Sequence, residues 1–173
     1  MSKSLITKSM AKRFYSLSRL NSQKISHVTV VGSGLMGSGI AQVTAQAGYK
    51  VTLVDQSDAI LNKAVASIKT SLQRSTKKQF EKEPQNAEKH INDIVARIST
   101  STQIDKAVEK TNLVIEAIVE NIKVKHELFS RIDKIAPRDT ILTSNTSSLP
   151  IKEIAESVVR KDKFGGLHFF NPV

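Results

Sequence analysis

An α/β fold built on a doubly wound parallel sheet is predicted by three observations on this sequence. Short apolar, β-branched runs such as Val28-Thr-Val-Val31 and Leu113-Val-Ile115 alternate with longer stretches whose apolar residues recur at helical spacing. The first run passes directly into Gly32-Ser-Gly-Leu-Met-Gly37, which matches G-x-G-x-x-G. The next, Tyr49-Lys-Val-Thr-Leu-Val-Asp55, ends in an acid 18 residues beyond Gly37.

Each part of that arrangement has a physical use. The first glycine permits a tight turn, the second lets backbone approach a pyrophosphate, and the third lets the following helix pack closely on the strand. That helix aims unpaired N–H groups and its positive dipole end at the phosphates. Gly32, Ser33, Gly34, Leu35, Met36 and Gly37 are therefore the expected cofactor cradle, and Asp55 the expected acceptor for an adenosine ribose. Gln56, Ser57 and Asp58 follow with no arginine among them, which favours NAD over NADP. The glycine pattern alone is weak; strand, loop, helix, strand and acid in order make it a Rossmann-type reading.

The elements follow in sequence. Ile40, Val43 and Ala47 mark a helix from Leu35 that stops at Gly48. Ile60, Leu61, Ala64, Val65, Ile68 and Leu72 mark a second, capped by Ser57 or Asp58 and continuing with mostly polar residues from Arg74. Pro84 interrupts, and Ala87, Ile91, Ile94, Val95 and Ile98 sketch a third, so a basic helical insertion follows the second strand. Residues 98–102 form a thin third strand, with a short helix around Ile104 to Val108. Leu113 to Ile118 is the fourth strand, followed by a helix through Ile122, Val124, Leu128, Phe129, Ile132 and Ile135 that stops before Pro137. Thr140 to Thr143 is the fifth, Ser148 is expected to cap a helix beginning Leu149-Pro-Ile151, and Phe164 to Phe170 is the sixth. The expected strand order is 3-2-1-4-5-6.

Composition bounds the function. The 173 residues hold no cysteine, which excludes disulfides and thiolate metal sites, and no metal set is expected. The net charge of +10 does not point to nucleic acid. Lys3, Lys8, Lys12, Arg13, Arg19 and Lys24 precede the first acid, Asp55, and without them twenty basic residues face sixteen acidic ones. Residues 1–24 are rich in serine and basic residues, with Leu5, Ile6 and Met10 on one side of a helix, as in a mitochondrial transit peptide; Arg13-Phe-Tyr-Ser16 resembles a matrix-peptidase site. A disordered basic tail is the alternative. No stretch approaches a membrane span. Residues 25–173 are assigned to the nucleotide-binding domain.

Ligands in such sheets bind beyond the carboxyl ends of the strands. Asp55, Glu120, Asn145 to Ser148, His168 and Asn171 all fall there. His168 suits a general base, since a neutral imidazole can take a hydroxyl proton while hydride leaves the same carbon. A buried core histidine between aromatic neighbours is the bland alternative, and His27, His90 and His126 are read as structural. Ser144-Asn-Thr-Ser-Ser148 suits either a functional loop or plain turn and capping chemistry. The basic insertion suits either a solvated face or contact with an anionic ligand.

Gly32-Ser-Gly-Leu-Met-Gly-Ser-Gly-Ile-Ala41, Val54-Asp-Gln56, Ile115-Glu-Ala-Ile-Val-Glu120, Ser144-Asn-Thr-Ser-Ser-Leu149 and His168-Phe-Phe-Asn-Pro-Val173 together resemble the short-chain 3-hydroxyacyl-CoA dehydrogenase family of mitochondria. The likeness runs from about Ile25 to Val173. It implies NAD-dependent oxidation of L-3-hydroxyacyl-CoA to 3-ketoacyl-CoA in fatty-acid β-oxidation, in the mitochondrial matrix. It implies His168 as base, with Ser147 and Asn171 hydrogen-bonding near the reacting oxygen and also touching cofactor. It implies Asp55, Glu120 and Lys125 on NAD, and Ser71, Lys78 and Ser147 on the CoA substrate. Family members continue into a helical C-terminal domain that completes the acyl-CoA site and forms a homodimer interface. A glutamate that orients the histidine is expected about a dozen residues beyond His168, so this chain alone is expected to bind cofactor with little turnover. A noncatalytic NAD-binding module and a dehydrogenase with another substrate are the alternatives.

Overall fold

The computed structural model of the chain describes residues 24–81 and 84–173, with the side chains of Lys78, Gln79 and Pro84 left aside. The leader expected over residues 1–24 falls almost wholly outside the described residues.

β1 (His27–Val31) enters α1 (Leu35–Gln46), which returns to β2 (Lys50–Val54). α2 (Asp58–Gln79) and α3 (Pro84–Val95) form the insertion, and β3 (Ile98–Ser101) follows. α4 (Ile104–Val108), β4 (Leu113–Glu116), α5 (Ile122–Ile135) and β5 (Ile141–Ser144) complete the second half. A four-residue helix α6 (Ile151–Ile154) and two 3₁₀ turns lead to β6 (Phe164–Gly166). The sheet is parallel throughout, in the order β3-β2-β1-β4-β5-β6 that the sequence predicts.

Alternation along the strands divides the core into two faces. Val28 and Val30 of β1 and Ile115 of β4 pack with Ile40 of α1, Ile68 and Leu72 of α2 and Ile94 of α3. Val31 and Val114 point the other way, onto Phe129 and Ile132 of α5 and Ile154 of α6. Period-two side chains thus meet period-3.6 stripes on both sides. α2 opens on Ser57, whose hydroxyl accepts from the Ile60 amide at 3.4 Å, so Ser57 rather than Asp58 is the cap.

The register places the site. Ser101, Val54, Val31, Glu116, Ser144 and Gly166 are one row across the sheet, and each is the last residue of its strand. Every loop that follows therefore starts from the same rim.

Three expectations are corrected. β4 ends at Glu116 and not Ile118, because the Glu116 carboxylate turns back to accept from the Ile118 amide at 2.8 Å. β6 ends at Gly166, which leaves His168 two residues past the strand. Ser148 does not cap α6: Pro150 occupies that position without a side-chain bond, and the Ser148 hydroxyl lies 3.4 Å from Glu120.

Candidate active site

The turn after β1 shows why the sequence carries glycine there. Gly32 has φ +96°, and a Cβ on it would sit 2.5 Å from the Ala117 carbonyl oxygen. A Cβ on Gly37 would sit 1.7 Å from the Gly32 oxygen, so α1 passes β1 at backbone contact. Gly34 is different: nothing lies within 4 Å of a Cβ built on it. It is also the N-cap of α1 and carries no capping side chain. The first helical bond runs from the Ser38 amide to the Gly34 oxygen at 2.9 Å, so the amides of Leu35, Met36 and Gly37 precede it. A bare turn with open space over Gly34 and three amides at a helix start fits a dinucleotide's diphosphate.

Asp55, just past β2, is bound into this loop. Its Oδ2 accepts from both the amide and hydroxyl of Ser33 at 2.7 Å, and its Oδ1 from the Gln56 amide at 2.7 Å. Partial burial pushes this carboxyl up, but the Ser33 hydroxyl and the Gln56 and Ser33 amides together hold it below its ordinary range. An ionised acid is thereby fixed beside the glycine turn.

A buried ionic network lies beneath β4 and β5. Lys125, on the inner stripe of α5, is 1% exposed, and its Nζ reaches Glu116 Oε1 at 2.6 Å and Glu120 Oε2 at 3.0 Å. Glu116 Oε1 also accepts from the Ile118 amide, and its Oε2 from the Ser144 hydroxyl. Glu120 Oε1 accepts from the Thr146 hydroxyl at 2.6 Å and the Ser147 amide at 2.9 Å. One cation thus ties the end of β4 to the loop after β5.

The segment carrying His168 is fastened to that same loop. The Leu167 amide donates to the Ser144 oxygen at 3.0 Å, and the Phe169 amide to Asn145 Oδ1 at 2.6 Å. The Asn145 side chain thus extends the ladder past the end of β6. Between those rungs, His168 Nδ1 lies 3.0 Å from the Thr146 carbonyl. A carbonyl can only accept, so Nδ1 carries the proton in this bond and Nε2 of the neutral ring keeps its lone pair. Phe170 lies against the ring, centroid to centroid 4.7 Å. A cavity of about 320 Å³ opens here, lined by Met36, Glu120, Asn145, Ser147, His168 and Asn171 among others.

The arrangement thus brings Met36 of the cradle, Glu120, Ser147, His168 and Asn171 together, with Asp55 bonded to Ser33 on the same rim. Ser71 is exposed on α2 and does not line this cavity; the Lys78 side chain is among those not described. Lys125 faces the two glutamates from inside the protein. Sequence reasoning gave no role to Glu116 and carried Thr146 only as one member of the loop over residues 144–148. The signal for the first was present: an acid in an otherwise apolar strand needs a partner, and Lys125 interrupts the apolar stripe of Ile122, Phe129 and Ile132.

The parallel sheet, the glycine turn and the acid after β2 define a dinucleotide-binding domain of the dehydrogenase type. Residues 27–173 match the family described as 3-hydroxyacyl-CoA dehydrogenase, NAD binding domain, and the chain belongs to that family, whose cofactor is NAD. It is 53% identical over 149 residues to the mitochondrial hydroxyacyl-coenzyme A dehydrogenase of Rattus norvegicus, covering 86% of this chain and 48% of the rat protein. The Homo sapiens protein of the same name is 51% identical with the same coverage. Among solved structures, (S)-3-hydroxybutyryl-CoA dehydrogenase from Ralstonia eutropha superposes with a TM-score of 0.80 at 42% identity, over 87% of this chain and 51% of that one. The chain spans about half the length of the curated relatives it matches.

Proposed function

We propose that this chain is the cofactor-binding half of an NAD-dependent L-3-hydroxyacyl-CoA dehydrogenase, with residues 25–173 as the Rossmann domain. What supports the reading is the common rim: a turn suited to a diphosphate and a histidine with a free Nε2 share one end of one sheet. The amides of Leu35, Met36 and Gly37 and the bare Gly34 hold the diphosphate, with Gly32 and Ser33 shaping the turn. Asp55 receives the ribose hydroxyls. His168 Nε2 takes the proton of the substrate hydroxyl, while the Ser147 hydroxyl and Asn171 amide bond the reacting oxygen and the cofactor edge. Bound NAD supplies the hydride acceptor. Glu120 faces the cofactor side of the cavity, and Lys125 acts there through Glu120.

Ser71, Lys78 and Ser147 are proposed to hold the CoA portion, which gives the basic insertion its use. Localisation in the mitochondrial matrix rests on the mitochondrial relatives and on the basic, acid-free leader over residues 1–24. A helical second half is proposed to complete the acyl-CoA pocket and to form a homodimer. Among the described residues, no helix is long and apolar enough to cross a membrane.

The test has two arms. The chain titrated with NADH shows saturable, micromolar-range binding by nucleotide fluorescence. Joined to the C-terminal half of a relative, it oxidises L-3-hydroxybutyryl-CoA and leaves the free hydroxy acid untouched. Equal turnover of both would point to another substrate class, and no NADH binding would overturn the reading.

A further inference from the structure

We propose that the Ser33 side chain is a positioning group that fixes the Asp55 carboxylate and so sets the preference for a nucleotide without a 2′-phosphate; this rests on the turn after β1 being the cofactor cradle. Ser33 follows Gly32 in that turn and is 5% exposed. Its amide and its hydroxyl both donate to Asp55 Oδ2 at 2.7 Å, and the Gln56 amide donates to Oδ1 at 2.7 Å. The turn is itself pinned from two sides. The Gly32 amide donates to the Val54 oxygen at 2.8 Å, and the Ser38 hydroxyl to the Ser33 oxygen at 2.8 Å. The first turn of α1, the glycine turn and the acid after β2 are therefore tied together through this one serine.

A turn residue needs no side chain to give the amide bond, since alanine or glycine would supply it. The hydroxyl goes further, adding a second, charge-assisted donor on Oδ2 and so fixing the tilt of the carboxylate as well as its distance. Oδ1 has one protein donor among the described residues against two on Oδ2, and keeps acceptor capacity for a ribose hydroxyl. Such a hydroxyl gains from an acid that needs no ordering when the ligand arrives. A 2′-phosphate instead brings like charge against an acid that is held from turning away. The same clamp thus favours one nucleotide and penalises the other. Gln56, Ser57 and Asp58 follow directly, so no cation adjacent in sequence rewards the phosphate.

The test titrates the 173-residue chain with NADH and with NADPH, which share one fluorophore and differ only in the 2′-phosphate. Ser33→Ala keeps the amide bond and loses the hydroxyl. It weakens NADH by roughly fivefold, a fraction of the worth of one hydrogen bond to a charged group, and does not weaken NADPH. The ratio of the two dissociation constants therefore falls by the same factor, which a general loosening of the turn would leave unchanged. In an Asp55→Ala background the Ser33→Ala effect disappears, because the serine acts through the acid. Ser33→Gly, the second variant should Ser33→Ala fail to fold, gives the same ratio. Equal weakening of both nucleotides, unaltered affinities, or an effect that persists in full without Asp55 would overturn the role of Ser33 while leaving the cofactor reading intact. A wild-type chain that binds neither nucleotide would overturn both.

Discussion

Partial burial would raise the Glu120 carboxyl, yet the Thr146 hydroxyl, the Ser147 amide and the Lys125 ammonium bring its pKa down from 4.5 to about 2. Since the folded value lies below the unfolded one, the contribution to stability is fully present above about pH 4.5. It is lost as pH falls toward 2. The side chain is 38% exposed, so solvent screening keeps the effect modest. Urea midpoints measured at pH 6 and pH 3 are expected to fall further for the wild type than for Glu120→Gln, which has no proton to gain there. At this scale the sequence was legible where position alone decides, as in placing Asp55 and His168 at the carboxyl rim. It was not legible where the meaning lies in a partner. Nothing local says that Thr146 faces an acid 26 residues earlier or a histidine 22 later.

Among the elements, the strand–turn–helix at the start of the sheet separates two uses of glycine that the pattern G-x-G-x-x-G merges. Gly37→Ala drives a methyl into the Gly32 carbonyl and is expected to cost about 1–3 kcal/mol or more in chemical denaturation. Gly34→Ala meets open space at an ordinary φ of −64°, so its melting temperature stays near wild type. Its NADH affinity falls by roughly tenfold or more, because the methyl occupies the approach of the diphosphate. Equal effects of the two substitutions on folding would refute this division. Element types and order were readable because apolar periodicity changes cleanly between 2 and 3.6 residues. Their ends were not, because Glu116, Asn145 and Pro150 set them through side-chain bonds or ring geometry that periodicity does not carry.

Over the whole molecule, the core and the chemistry are segregated. Apolar side chains fill the two faces of the sheet, while the polar groups of the candidate site gather at its carboxyl rim, where Leu35, Val119 and Phe170 are also 76%, 66% and 78% exposed. A ligand seated there binds only the folded state. NADH at a hundred times its Kd is therefore expected to add about 2.7 kcal/mol and raise Tm by roughly 5–10 °C in differential scanning fluorimetry. An unshifted transition would contradict cofactor binding. The global topology was legible because parallel strands joined by helices allow few arrangements.

The outermost strands, β3 and β6, have four and three residues, and their sequences are Ile-Ser-Thr-Ser and Phe-Gly-Gly. A neighbouring polypeptide would find too few free amides and carbonyls there, and too little greasy surface, to add itself as a seventh strand. Among the described residues, brevity at both borders thus works against extension of this sheet while its carboxyl end stays open.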